Sequence, residues 1–289
     1  YTAWGSPPGC MPIQRKGRIP RRKRGTDMER TQVTAGIVAY GGADEVAAAA
    51  RTVAQHTQGV DLRLVVLDYA SPDGAGKALA AMDWPENVQV ECSDKNLGFG
   101  QGHNRIFRKL NSDGLSQYHA VINPDITLDS DAITAICGWM DQHPDVAMVT
   151  PRLLFPDGRE QQTPKRFPSL VALAARQLRL PFLKKAEEHY LMLDEDLSQP
   201  TDVGFCSGCF FVMRSEVYQK MGGFDPRYFV YVEDADITRQ ALQYGRAVYL
   251  PLVSVYHAWP RDANKKLKNF LMQLGSMFKY WRKWGFKLF

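Results

Sequence analysis

The first part of the chain alternates short apolar runs with helix-forming segments, and this rhythm restricts the fold more than any other feature. Apolar runs at residues 33–40, 62–68 and 88–92 are separated by segments with helical composition at 44–56 and 77–82. Repeats of strand, helix and strand predict a parallel sheet with right-handed crossovers. We therefore predict an α/β fold, in which ligands bind outside the carboxyl ends of the strands.

Polar residues stand where two of the predicted strands end. Asp68 closes the second strand, and Asn123, Pro124 and Asp125 follow an apolar run at 118–122. Because proline cannot donate to a strand ladder, Pro124 ends this strand and leaves Asp125 at the sheet edge. The two acidic positions predict a polar site at one edge of the sheet.

A glycine-rich turn follows the third predicted strand, at residues 96–104. It departs from the dinucleotide pattern G-x-G-x-x-G, because His103 stands where the third glycine belongs and because the turn does not follow the first strand. Two interpretations stay open, an approach of backbone to phosphate and an ordinary helix start.

Three carboxylates fall within four residues, at Glu233, Asp234 and Asp236. Acidic residues stabilise a helix N-terminus, so a helix is predicted to begin near Glu233. The cluster has two interpretations, a solvated first turn and a carboxylate that faces a pocket. A single histidine, His257, follows in an apolar run later in the chain.

Composition indicates a globular protein whose charge is unevenly distributed. The chain has 289 residues, of which 45% are hydrophobic. The whole chain carries +5, whereas residues 1–27 carry +6 and residues 261–289 carry +7, so the body at 28–260 carries −8. Nucleic-acid-binding domains usually present a basic face, so the acidic body argues against a nucleic-acid partner.

The five cysteines are odd in number and scattered, which indicates a reducing cytosol rather than a disulfide scaffold. Cys206 and Cys209 form a C-x-x-C pair inside an apolar run from Gly204 to Met213, which predicts a strand. Alternation along a strand would place the two thiols on opposite faces, against a zinc or redox role.

The remaining segments divide the chain into three parts. Residues 1–27 are basic and rich in Gly and Pro, and we interpret them as a disordered or non-native leader. An apolar helix is predicted at 170–183, as part of a lid or acceptor-side subdomain. The tail at 261–289 has aromatic residues and cations at helical spacing, so it lies either in a membrane interface or against the core.

The order of these motifs resembles the family-2 inverting glycosyltransferases of the GT-A fold, and more narrowly bacterial O-antigen and cell-wall rhamnosyltransferases. The resemblance covers residues 33–260. It implies a mostly parallel central sheet with flanking helices, in which a Rossmann-like nucleotide half at 28–150 precedes an acceptor half at 151–260, and it adds an amphipathic helical tail.

The resemblance also implies the role of each candidate residue. The general base would be Asp234, with Glu233 as its competitor, and a Mg²⁺ or Mn²⁺ cofactor would bind Asp125 and His257. Nucleotide-sugar contacts are implied for ten residues: Ala39, Tyr40, Asp68, Asn96, Gly98, Phe99, Asn104, Asn123, Arg166 and Arg239. Asn123 replaces the first carboxylate of the family's D-x-D motif, which leaves Asp125 as its one full carboxylate.

The function that the resemblance implies is transfer of L-rhamnose from dTDP-β-L-rhamnose to an undecaprenyl-diphosphate-linked saccharide, with inversion. The protein would act in the cytoplasm, bound by its tail to the inner face of the cell membrane, and a homo-oligomer is compatible with the sequence. Two alternatives stay open. One is another donor, UDP-galactofuranose, UDP-glucose or UDP-GlcNAc, and the other is an inactive membrane-associated protein that binds a nucleotide sugar.

Overall fold

A computed structural model describes residues 30–167, 184–258 and 266–286. The strands are β1 Gln32–Ala39, β2 Asp61–Tyr69, β3 Val88–Ser93, β4 Tyr118–Ile122, β5 Ile126–Thr127, β6 Val146–Leu154, β7 Thr201–Asp202, β8 Phe210–Arg214 and β9 Arg246–His257. The helices are α1 Ala43–His56, α2 Ala75–Ala81, α3 Phe99–Leu110, α4 Ala132–Asp141, α5 Lys184–Tyr190, α6 Ser215–Lys220, α7 Glu233–Ala241 and α8 Lys266–Trp284. The leader at 1–27 and the helix predicted at 170–183 lie outside the described residues.

The strands form one sheet with the order β3-β2-β1-β4-β8-β6-β9-β5, and β7 pairs with β9. The strands β3, β2, β1 and β4 run parallel, as the rhythm of the sequence predicts. The second half mixes directions, because β8 runs antiparallel to both β4 and β6, whereas β6 and β9 are parallel. The reversed β8 therefore begins at the edge where β4 ends.

Helices cover both faces of the sheet, which explains why β1 and β2 are continuous apolar runs. On one face, Ile37 and Leu64 pack in a core with the apolar sides of α1 and α4. On the other face, Val38 and Leu67 pack against Ile106 of α3. Side chains at alternate positions of one strand thus enter separate cores, and the sheet is buried between two helical layers.

The tail forms helix α8, and its two faces differ. Tyr280 is 1% exposed and packs in a small core with residues of the loop before β8 and of α7. Leu271, Leu274 and Phe278 lie on another face, with 59%, 47% and 59% exposed. One face of the helix therefore packs against the core, as one of the two interpretations predicts, and the other face is exposed. No helix within the described ranges combines the length and apolar character that a membrane span needs.

Candidate active site

The strand ends converge at one edge of the sheet. Ala39 at the end of β1 lies beside Asp68 of β2, and Ile122 at the end of β4 lies opposite Phe210, the first residue of β8. The connections that follow β1, β2 and β4 and the connection that precedes β8 therefore emerge together. This edge is where open α/β sheets bind their ligands.

Asp68 is buried, and the loop that follows β2 fixes its orientation. Its carboxylate accepts a hydrogen bond from the Ser71 hydroxyl, and the Ser71 hydroxyl in turn accepts one from Gly41 N–H at 2.7 Å. A side chain at Gly76, the second residue of α2, would collide with the Asp68 carboxylate, so the start of that helix requires glycine. Tyr40, the first residue after β1, is 62% exposed and available to a ligand. The contacts of Asp68 and Tyr40 with a nucleotide stay predictions.

The glycine-rich turn contacts the loop that leads to α7. Asn96 Oδ1 accepts a hydrogen bond from Gly98 N–H at 2.8 Å, which closes the turn. Gly98 has φ +100°, and a Cβ there would collide with the backbone of Phe229. Phe99 N–H donates to the carbonyl of Phe229 at 3.0 Å. The glycine here permits a close approach between two backbone segments of the protein.

Asn104 belongs to the same contact between the glycine-rich turn and the loop before α7, and its predicted role in the nucleotide pocket stays a prediction. The side chain is buried, and its Oδ1 accepts from Phe224 N–H at 2.9 Å and from the Tyr218 hydroxyl at 2.8 Å. Its Nδ2 donates to the Phe224 carbonyl at 2.7 Å. Asn104 therefore holds the loop before α7 in place.

Asp125 and His257 meet because β5 pairs antiparallel with β9, with Ile126 opposite His257. Asp125 Oδ2 lies 3.2 Å from His257 Nε2, and the two side chains are only 10% and 8% exposed. On the far side of the ring, Nδ1 donates to Gln161 Oε1 at 2.9 Å, and Gln161 Nε2 donates to the His257 carbonyl at 2.7 Å. Burial lowers the pKa of His257, but hydrogen bonds to Asp125 and Cys209 outweigh it and raise that pKa to about 10.

The Asp125–His257 pair fits a divalent cation as a partial ligand set. A carboxylate oxygen and an imidazole nitrogen lie side by side, and Gln161 fixes the ring so that Nε2 faces Asp125. Within the described ranges, no group of three or more Asp, Glu, His or Cys side chains could hold a metal. Phosphate oxygens and water would therefore supply the other ligands, as is common for Mg²⁺. Asn123 also follows β4, and its N–H donates to Cys209 O at 2.7 Å.

Helix α7 begins at Glu233, as predicted, and its first turn carries the second acidic group. Tyr231 and Val232 enter the helix with φ +68° and +69°, a strained conformation for non-glycine residues and especially for β-branched valine. Glu233 is buried, and its Oε2 receives no hydrogen bond from the described residues. Burial and then the Asp234 charge raise the pKa of Glu233 to about 8.

Asp234 is the more accessible of the two candidate bases, because the residue is partly exposed whereas Glu233 is buried. Its Oδ2 accepts from Gly208 N–H at 3.4 Å, and its Oδ1 accepts from Ala235 N–H at 2.9 Å. Burial raises the pKa of Asp234, while the charge of Lys165 and these backbone hydrogen bonds oppose that rise. A raised pKa brings a carboxylate closer to the range that proton transfer near neutral pH requires.

The connection 206–209 links the strand-end edge to the carboxylates of α7. Sequence reasoning singled out its C-x-x-C pair but did not identify this linking role. β8 begins at Phe210, so Cys206 and Cys209 precede the strand, which corrects their predicted place within it. Gly208 N–H faces Asp234, whereas the Cys209 carbonyl accepts from Asn123 N–H. The connection thus lies between the end of β4 and the first turn of α7.

Two arginines predicted to contact the nucleotide sugar are engaged elsewhere. Arg166 binds the carboxylates of Asp194 and Glu195. Arg239 donates to the hydroxyl of Tyr280 at 3.2 Å and lies over the ring of Trp284, 4.7 Å from its centroid. Arg166 thus pairs with an acidic cluster and Arg239 anchors α8. Their contacts with a nucleotide sugar stay predictions.

Solved structures with similar folds include the mannosyltransferase PcManGT from Pyrobaculum calidifontis in complex with GDP-Man and Mn²⁺. That match has a TM-score of 0.58 at 17% identity and covers 88% of this chain and 64% of that chain. A match to GalNAc-T7 with UDP, GalNAc and Mn²⁺ has a TM-score of 0.60 at 14% identity and covers 89% of this chain and 50% of that chain. The predicted GT-A type of α/β fold is confirmed.

The sequence comparisons identify the family. Residues 34–222 match the model of glycosyl transferase family 2, and the chain belongs to that family. It is 28% identical over 204 residues to an N-acetylglucosaminyl-diphospho-decaprenol L-rhamnosyltransferase of Mycobacterium tuberculosis, a match that spans 67% of this chain and 66% of the relative. It is also 33% identical over 88 residues to the rhamnosyltransferase WbbL of Escherichia coli, covering 30% of this chain and 33% of that protein. The mycobacterial match thus spans slightly less than two thirds of that relative's length.

Proposed function

We propose that the protein is an inverting glycosyltransferase that moves L-rhamnose from dTDP-β-L-rhamnose to a polyprenyl-diphosphate-linked saccharide. The observation that carries the proposal is a partly exposed carboxylate, Asp234, joined by the connection 206–209 to the strand-end edge that holds Asp125 and His257. An inverting transfer requires both elements, a base for the acceptor and an anchor for a diphosphate.

In the proposed reaction, the nucleotide sugar lies at the strand-end edge, near Tyr40 and Asp68. The acceptor hydroxyl attacks the anomeric carbon from the face opposite the nucleotide diphosphate, and Asp234 takes the hydroxyl proton. The bond from the anomeric carbon to the diphosphate oxygen breaks, and dTDP leaves with the electron pair. A divalent cation at Asp125 and His257, when bound, would neutralise charge on the departing diphosphate.

The identity of the substrates rests on the relatives. One relative is named for L-rhamnosyl transfer to N-acetylglucosaminyl-diphospho-decaprenol, and another is named as a rhamnosyltransferase. Both names support rhamnose as the donor sugar and the first supports a GlcNAc-diphosphate-lipid acceptor. We extend the proposal to an undecaprenyl carrier in bacterial surface polysaccharide synthesis.

A thermal-shift panel followed by a transfer assay tests this function. The panel contains dTDP-β-L-rhamnose, UDP-galactofuranose, UDP-glucose and UDP-GlcNAc, each with and without Mn²⁺ or Mg²⁺. We expect stabilisation by dTDP-β-L-rhamnose with metal, and transfer to a GlcNAc-diphosphate-prenyl acceptor that yields an α-linked product. Stabilisation and turnover with a UDP sugar instead would identify that sugar nucleotide as the donor in place of dTDP-β-L-rhamnose. Tight donor binding without turnover on any acceptor would support the inactive binding protein.

We further propose that the outer face of α8 lies on the cytoplasmic surface of the cell membrane. Leu271, Leu274 and Phe278 recur at a spacing of three and four residues, so they form one exposed apolar stripe. The tail from 261 to 289 carries +7, which suits anionic headgroups. This arrangement would bring a lipid-linked acceptor and the protein to one surface.

Vesicle sedimentation tests the membrane proposal. Replacing Leu271, Leu274 and Phe278 together with serine should weaken binding to phosphatidylglycerol vesicles at least about tenfold, because less apolar surface is buried. The control is Leu252→Ser, since Leu252 is 68% exposed but lies on β9. Equal binding by the triple variant and the control would exclude α8 as the membrane contact.

A further inference from the structure

Helix α8 contacts the first turn of α7 through a fully buried carboxylate, Asp236. Lys283 Nζ donates to Asp236 Oδ2 at 2.8 Å, and Trp284 Nε1 donates to Asp236 Oδ1 at 2.6 Å. From outside α8, Gln240 donates to Oδ2 at 2.8 Å and the Tyr228 hydroxyl lies 3.4 Å from Oδ1. Two of the four donors to Asp236 therefore come from the tail.

The same helix holds the loop that enters α7. Lys283 Nζ also donates to Asp225 Oδ2 at 2.9 Å, so one ammonium group bridges the carboxylates on both sides of the loop. Ser276 Oγ donates to the Val230 carbonyl at 2.9 Å, and Lys279 Nζ donates to the Arg227 carbonyl at 2.7 Å. The loop and the first turn of α7 are thus fixed from one side by a single helix.

The contact of α8 with Asp225 and Asp236 matters because the backbone between these two residues is strained. Tyr231 and Val232 hold left-handed conformations just before the first turn, and such conformations persist where the surroundings enforce them. Asp234 lies between Val232 and Asp236, so its backbone position depends on both. The charge of Lys283 also offsets a negative charge two residues from Asp234.

We propose that Lys283 and Trp284 are positioning residues that act through Asp236 to place the Asp234 carboxylate for proton transfer. This inference rests on the proposed function of Asp234. The tail then has a second role beside its apolar outer face, because it sets the geometry and the electrostatic environment of the base.

Charged and titratable groups approach this region from every neighbouring element. Glu233 lies beside Asp234 on α7, Cys206 lies in the connection before β8, and Lys165 lies in the segment after β6. Around Asp236, the groups are Asp225, Arg227 and Tyr228 of the loop and Tyr280 and Lys283 of α8. Removing the Lys283 cation would leave the carboxylates in excess and would favour protonation of Asp234.

The test compares Lys283→Met, Lys283→Arg and Trp284→Phe in the full chain with dTDP-β-L-rhamnose and a GlcNAc-diphosphate-prenyl acceptor. For Lys283→Met, we expect kcat to fall about tenfold while KM for the donor stays constant, and the acid limb of the pH profile to move up by roughly half a pH unit to one unit. Lys283→Arg should return the acid limb of the pH profile to its position in the unmodified protein, because arginine keeps the positive charge. Trp284→Phe keeps an aromatic ring but loses the donor, and should lower kcat about threefold to fivefold.

The control is Lys220→Met, which removes a surface lysine that pairs with Glu216 on α6. Hydrogen exchange of residues 233–241 provides a readout that does not need turnover, and it should accelerate in Lys283→Met relative to this control. Unchanged exchange, or a fall in kcat that Lys283→Arg does not reverse, would overturn the positioning role. If the unmodified protein transfers no sugar, the proposed function fails, and accelerated exchange would still support the contact between α8 and α7.

Discussion

The two sides of the strand-end edge hold their polar groups in different ways. After β1 and β2, the carboxylates of Asp68 and Asp73 accept hydrogen bonds from Ser71 and from backbone N–H groups of the same two loops. At α7, Asp236 depends on donors from α8, and Glu233 Oε2 receives no hydrogen bond from the described residues. The proposed donor side, after β1 and β2, is stabilised locally. The proposed acceptor side, at α7, depends on distant segments and keeps carboxylates in an unfavourable environment.

Asp234→Asn should produce the largest effect and should affect the proposed acceptor side alone. Because an amide cannot take a proton from the acceptor hydroxyl, we expect kcat to fall about 10³-fold while donor binding stays unchanged. The measurement is dTDP release, with donor affinity from calorimetry, and Asp83→Asn on the exposed surface is the control. Retained turnover would mean that Glu233 or another residue, rather than Asp234, is the general base.

Asn104→Ala should break the connection between the two sides. The substitution leaves the Phe224 backbone groups and the Tyr218 hydroxyl buried without their partner, so we expect a loss of about 3 kcal/mol in the free energy of unfolding. Urea unfolding measures the loss, and Gln55→Ala on the surface of α1 is the matched control. A loss below about 1 kcal/mol would mean that other contacts hold the loop.

Glu233→Gln should test whether burial of a carboxylate at α7 costs stability as the pH rises. The folded protein holds the Glu233 proton up to a pKa of about 8, whereas the ordinary value is 4.5, so the folded state binds more protons between these limits. The free energy of unfolding should therefore fall as pH rises through this window, and the fall should weaken in the variant. At pH 8 the variant should be at least about 2 kcal/mol more stable, as measured by urea unfolding, because each unit of the pKa rise corresponds to about 1.4 kcal/mol. Parallel pH curves for the two proteins would contradict the assigned environment.

Gln161→Leu should have the smallest effect, because it changes a residue behind the proposed metal ligands. Without the hydrogen bond from Nδ1, the His257 ring loses its fixed orientation, and Mn²⁺ affinity in the presence of dTDP should fall about tenfold. Electron paramagnetic resonance of free Mn²⁺ measures this, with Gln162→Leu as the neighbouring control. Unchanged affinity would indicate that the metal does not use His257.

The parts of the molecule that sequence reasoning predicted well are those set by local pattern. The apolar runs of β1 and β2 and the start of α7 at Glu233 follow from residues close in sequence. Asn104 could not be placed in this way, since its partner Phe224 is 120 residues away in sequence. Gln161 belongs to no motif, and its role depends on the arrival of β9 beside β5.

Local sequence also could not predict the environment of each face of the tail or the position of the C-x-x-C segment. The helical period of α8 is the same whether a face contacts protein or lipid, so the pattern alone could not assign Tyr280 inward and Phe278 outward. The apolar run from Gly204 to Met213 gave no signal that β8 begins only at Phe210. In each case a tertiary contact, rather than the local period, decided the outcome.

The pairing of β5 with β9 has a consequence for how the protein folds. Asp125 and His257 become neighbours only when the last strand of the sheet pairs with a two-residue strand from the first half. Contacts between residues so distant in sequence form slowly, because the entropy of a long loop must be lost first. The proposed metal site should therefore mature late in refolding, after the parallel strands β1 to β4 have acquired hydrogen-exchange protection.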